Sequence, residues 1–90
     1  MTAAHDAHPF PVSVDAGKLD LLTGREREVL RHLARGRTNR VLAGQLGIAE
    51  RTLRAHITSI VRKLDVGSRF EASLVAVQHH DTLAEDAIAS

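Results

Sequence analysis

The side chains best equipped for chemistry lie between Glu50 and Leu64. On a helical wheel of about 100° per residue, Leu53, Ile57, Ile60 and Leu64 fall within about 40° of one direction. Arg51, Ala55, Thr58 and Arg62 gather around the opposite direction, and Arg54 stands between the two sets. Guanidinium forks reach base edges or phosphates, and small residues at the centre of the same face let the backbone come close. A helix that enters the major groove of duplex DNA needs that combination. Thr52, His56 and Lys63 occupy the flank, where a phosphate strand would run, although His56 is read first as packing beside the apolar stripe. A face that was merely solvated would interleave carboxylates for i,i+4 pairing, and here only Glu50 is present, at the very start.

Composition narrows the other possibilities. Ninety residues make one small domain at most, and 43% apolar with 26% charged residues is a globular balance. The absence of cysteine excludes a disulfide framework, a thiolate metal site and a cysteine nucleophile. Only Phe10 and Phe70 are aromatic, too few for a stacking platform that reads single strands. No nucleophile with a supporting base and no glycine-rich phosphate loop is present, so the chain reads as a non-enzyme without a cofactor. His5, His8 and the His79–His80 pair do not converge, and no metal site is expected. No secretory signal or transmembrane run is visible, which fits a cytoplasmic protein with no membrane partner. The net charge of +1 conceals a division: residues 20–80 carry eleven Arg and Lys against six carboxylates, while both ends are acidic. A basic middle fits a polyanionic partner.

The elements that must position the basic face are punctuated clearly. Residues 1–18, with Pro9, Pro11 and Gly17, read as a mostly disordered arm, from which Val12, Val14 and Leu19 could lay a short extended piece on the domain. Thr23 and Glu26 form a capping box that opens a first helix bearing Val29, Leu30 and Leu33, which stops at Gly36. Thr38 caps a second helix bearing Leu42 and Leu46, broken at Gly47. The third helix runs from about Glu50 to Leu64, and Gly67 ends the connection after it. Ser68 and Glu71 read as a second capping box, opening a fourth helix to about His79. Residues 81–90 form an acidic tail that has lost its apolar period apart from Leu83 and Ile88 and is expected to fray. The fold class is therefore all-α: a four-helix domain over residues 19–80, in which Gly47-Ile48-Ala49 joins two helices as a helix-turn-helix.

At this point the chain resembles a known family. Leu22-Thr-Gly-Arg-Glu-Arg-Glu-Val-Leu30, Leu33-Ala-Arg-Gly-Arg-Thr-Asn39 and Ile48-Ala-Glu-Arg-Thr-Leu-Arg-Ala-His56, followed by Ile60, Lys63-Leu64, Val66 and Ser68-Arg69, are similar to the LuxR/GerE/FixJ (NarL-type) helix-turn-helix domain. The resemblance covers about residues 20–80 and implies a transcription regulator whose third helix reads promoter DNA, usually as a dimer on two half-sites. It implies that Arg54, Ala55 and Thr58 stand at base-contacting positions, and that Thr38, Asn39, Thr52 and Lys63 stand at phosphate-contacting ones. The wheel adds Arg51 to the base-facing set and Arg62 to the phosphate-facing set.

On the fourth helix Phe70, Leu74 and Val77 line one face and Ala72, Val75 and Ala76 the opposite one. A terminal helix buries only one face on its own domain, and the resemblance implies that the Phe70 stripe forms a homodimer interface. Two departures stand out. Ala49 replaces the Ser or Thr usual at the N-cap of the third helix, and Glu50 follows it. The regulatory domain that precedes most family members is not seen ahead of residue 20, so a stand-alone GerE-type regulator and a piece of a longer chain both fit, with Met1 favouring the former. Two other readings stay open. One is a sigma region 4-like module that works with RNA polymerase; the other is an interaction module or inhibitor that titrates a larger regulator.

Overall fold

The computed structural model describes residues 14–89, with side chains through residue 85. Among them the order is a 3-10 turn at Ala16–Leu21, then α1 (Gly24–Leu33), α2 (Asn39–Leu46), α3 (Glu50–Leu64), α4 (Arg69–Gln78) and α5 (His80–Ala89), with no strand. The all-α class is confirmed, with five α-helices where the sequence suggested four.

Helix α1 begins where the capping box sets it. Thr23 Oγ1 accepts the Glu26 amide at 3.0 Å, and Glu26 Oε1 accepts the Thr23 amide at 2.9 Å. Two of the four orphan amides of the first turn are thereby satisfied. Thr38 caps α2 through the Val41 amide. Helix α2 ends at Gly47, whose φ of 70° is open to glycine at no steric cost. The Ile48 amide then returns to the Ala43 carbonyl, and Ile48 packs against the core.

Helix α3 ends at Leu64, where the sequence reading placed its end. The left-handed residue is Asp65, at φ 57°, and not a glycine. The Val66 amide reaches back to the Val61 carbonyl at 3.2 Å, closing the same six-to-one turn, and Val66 packs on the core. Gly67 serves another purpose: a Cβ there would meet the Glu71 carboxylate at 3.2 Å. The second capping box is correspondingly altered. Ser68 Oγ accepts the Glu71 amide, but the Glu71 carboxylate binds the Gly67 amide at 2.8 Å, one residue before the cap.

The core lies between α3 and the layer of α1 and α4, and α2 closes it beside α3. Val29 and Leu30 of α1, Leu42 of α2, Leu53, Ile60 and Leu64 of α3, and Ala72 and Val75 of α4 are fully buried. Burying each of the larger of these side chains contributes roughly 1.5–3 kcal/mol, enough to hold α3 although its N-cap lacks a side-chain acceptor. The four stripe residues of α3 are all buried, as the wheel requires.

The tail and the arm need correction. Residues 80–89 form α5, not a frayed end, because Leu83 is fully buried and α5 packs on α1. Arg31 Nη1 also reaches the Leu83 carbonyl, at 3.5 Å. At the other end, Val14 is buried; its amide donates to Gln78 Oε1 and its carbonyl accepts from His79 Nε2 at 2.6 Å. Leu19 is buried in the following 3-10 turn. Of the residues expected to lay an extended piece on the domain, Leu19 is in a 3-10 turn, whereas Val14 precedes that turn, outside any helix. Val12 and the remaining arm residues expected to be disordered lie outside the described residues.

Candidate nucleic-acid interface

The basic face depends on how α3 is held. Glu26 of α1 is the single charged residue in the core of the described region. Its Oε2 accepts the Ser59 hydroxyl at 2.6 Å, and its Oε1 accepts the Lys63 amine at 2.8 Å as well as the Thr23 amide. Ser59 and Lys63 are one turn apart on α3, so one carboxylate ties α1 to the flank of the helix whose opposite side is exposed. Burial drives the Glu26 carboxyl upward. Hydrogen bonds from Lys63, Ser59 and Thr23 and the charge of Lys63 outweigh that and hold its pKa at about 2.

With its apolar stripe and one flank fixed, α3 presents Arg51, Thr52, Arg54, Ala55, Thr58 and Arg62 to solvent. The Thr58 hydroxyl donates to the Arg54 carbonyl at 3.0 Å, which sets its rotamer and leaves its oxygen lone pairs as acceptors. Arg62 Nη2 approaches Ser59 Oγ at 3.4 Å, leaving most of its fork open. Ala49 makes no capping bond, as expected, so no side chain covers the amides at the start of α3. His56 is half-buried beside the stripe.

The residues expected at phosphates are placed less uniformly. Thr38 is exposed at the start of α2, where its oxygen caps the helix and its proton is free to donate outward. Asn39 is half-buried; its side-chain oxygen accepts from Arg69 Nη1, while Arg69 Nη2 donates to the Arg37 carbonyl at 3.2 Å. Lys63 differs most from expectation. Its amine points to Glu26, and only 28% of its side chain is exposed. The sequence reading assigned Glu26 a capping role and missed its second one, because Ser59 and Lys63 lie 33 and 37 residues away. It missed the Arg69–Asn39 link between α4 and α2 for the same reason.

On α4, Ala72, Val75 and Ala76 are in the core, while Phe70 is 68% and Val77 47% exposed, with Leu74 half-buried between them. The histidines at 79 and 80 have separate partners, the Val14 carbonyl and Asp81, and His5 and His8 lie outside the described residues.

Two helices joined through Gly47–Ala49, the second carrying an exposed cationic face and held from behind by a third, define a helix-turn-helix domain. The family described as bacterial regulatory proteins, luxR family, matches residues 20–76. The chain belongs to that family. It is 39% identical over 59 residues to the uncharacterized transcriptional regulatory protein YhcZ of Bacillus subtilis, covering 66% of this chain and 28% of YhcZ. Over 57 residues it is 47% identical to the nitrate/nitrite response regulator protein homolog of Haemophilus influenzae, covering 63% of this chain and 27% of that protein. Over 58 residues it is 43% identical to the nitrate/nitrite response regulator protein NarP of Escherichia coli, covering 64% and 27%. The chain thus spans little more than a quarter of the length of these relatives. Among the described residues no helix is long and apolar enough to cross a membrane.

Proposed function

We propose that the chain is a sequence-specific, double-stranded DNA-binding regulator of transcription that acts as a homodimer on two half-sites, with α3 in the major groove. The carrying observation is the exposed face of α3, where three arginines surround Ala55 and Thr58 and no carboxylate follows Glu50. Arg51, Arg54, Ala55 and Thr58 contact bases; Thr38, Asn39, Thr52 and Arg62 contact phosphates. Lys63 adds little to phosphate binding, because Glu26 offsets its charge, and serves mainly to hold α3. The exposed Phe70, Leu74 and Val77 stripe of α4 pairs the two copies, and RNA polymerase or another regulator is a further partner at the promoter.

Titrating the isotope-labelled chain with a short duplex and following its backbone amides tests this reading. The expected result is that the largest shifts fall at the start and outer face of α3, at Arg51, Arg54, Ala55 and Thr58. Shifts confined to α4 and α1, or no binding at low salt, would oppose it and favour an interaction module that acts on a larger regulator.

A further inference from the structure

An open groove of about 360 Å³ lies beside the exposed stripe of α4, lined by Arg31, Ala34 and Arg35 of α1, Val77 of α4 and His80 of α5. Its lining combines the apolar Ala34 and Val77 with two arginines and a histidine. A cavity of roughly 150 Å³ accommodates benzene, so the groove has room for an aromatic ring. Cationic side chains around such a ring interact favourably with its faces. This chain exposes one such ring among the described residues: Phe70, 68% exposed, at the opposite end of the stripe to which Val77 belongs.

The register connects the two. Phe70 precedes Leu74 by four residues and Val77 follows it by three, about 6 Å and 4.5 Å along the helix. In a two-fold pairing of α4 helices that run antiparallel about Leu74, each Phe70 therefore comes level with the partner's Val77, to within about 1.5 Å. A crossing angle near 50° separates them sideways by roughly 4 Å more, within reach of a benzyl side chain. The area needed points the same way. A single helix face buries only a few hundred Å², whereas a specific interface needs about 1,000 Å² or more. Seating one phenylalanine from each copy, each already about a third covered, adds on the order of 100–170 Å² per ring.

We propose that the partner's Phe70 inserts into the groove between Arg31, Arg35, Ala34, Val77 and His80, so that each copy supplies one plug and one socket. The inference rests on the dimer proposed above and makes α1 and the start of α5 part of its interface.

The test uses the full chain in sedimentation equilibrium, with circular dichroism confirming the fold of each variant. Phe70→Ala removes the plug and Ala34→Trp fills the socket; each alone is expected to weaken self-association at least tenfold. Mixed together they complement, since the filled groove faces the truncated residue and the intact Phe70 meets the open groove. The heterodimer is expected to be at least tenfold tighter than either variant homodimer. Ala34→Met replaces Ala34→Trp if the larger side chain unfolds the domain. A wild-type dimer indifferent to both variants, or a mixture no tighter than its components, overturns the socket and leaves the dimer standing, with the groove open to another occupant such as an acidic segment. A wild-type chain that stays monomeric at millimolar concentration, with and without duplex, overturns both.

Discussion

Replacing Lys63 by methionine keeps the aliphatic stem and removes the charge that faces Glu26. The carboxylate, with only 6% of its side chain exposed, would keep the Ser59 hydroxyl and the Thr23 amide but lose its cation. Removing one partner of a fully buried pair costs roughly 3–5 kcal/mol. Lys63 is 28% exposed, so water recovers part of that, and a loss of about 2 kcal/mol is expected at pH 7. In a domain of this size that corresponds to a fall in Tm of about 10 °C. The pH dependence is the sharper signature. The Glu26 pKa is lowered from its ordinary 4.5 to about 2, so its stabilisation is complete above pH 4.5 and is lost as pH falls through about 2. In Lys63→Met only the Ser59 and Thr23 hydrogen bonds still oppose the effect of burial, and the folded-state pKa rises. The stability gap between wild type and variant is therefore widest above pH 5 and closes toward pH 2. Adding Glu26→Gln removes the stranded charge while retaining an acceptor for Thr23, and should recover at least half of the loss. Urea unfolding followed by circular dichroism from pH 2 to 7 reads all three proteins. An unchanged stability at pH 7, or a gap independent of pH, would refute the assignment of Lys63 to the core of the α1–α3 contact.

Other outcomes follow from the same geometry. Arg54→Ala combined with Thr58→Ala should cost about 1–3 kcal/mol in DNA binding and relax base preference, read by competition between duplexes that differ at single positions. Arg62→Ala should weaken all duplexes alike and lower the slope of log affinity against log salt by about one unit. Ala49→Ser should supply the missing cap of α3 and raise stability by about 0.5–2 kcal/mol in urea unfolding. Leu83→Ala should cost about 2–5 kcal/mol and release protection of the α5 amides in hydrogen exchange; retained protection would mean that α5 is not held by that side chain.

The parts of the fold that were legible in the sequence were those decided locally. Thr23 with Glu26, Thr38, and Gly47 each carry their capping chemistry within three or four residues, and the 4-3-4 spacing of Leu53, Ile57, Ile60 and Leu64 sets both the buried and the exposed face of α3. Misreadings arose where a partner is distant or a backbone state is uncommon. Asp65 takes a left-handed conformation, which a residue other than glycine seldom adopts and which nothing in the local pattern marks. Among the described side chains of α5 only Leu83 is buried, against α1, which no periodicity within an acidic segment reveals. Lys63 looked like a free flank cation until α1 brought Glu26 beneath it.

The central claim is that the exposed face of α3 reads duplex sequence, and selection from a random duplex library at moderate salt tests it most directly, with Arg54→Ala run in parallel. The account predicts an enriched motif of two half-sites that the variant loses while its helical spectrum is unchanged. Absence of enrichment by the folded wild-type chain, or an identical motif from Arg54→Ala, would contradict it.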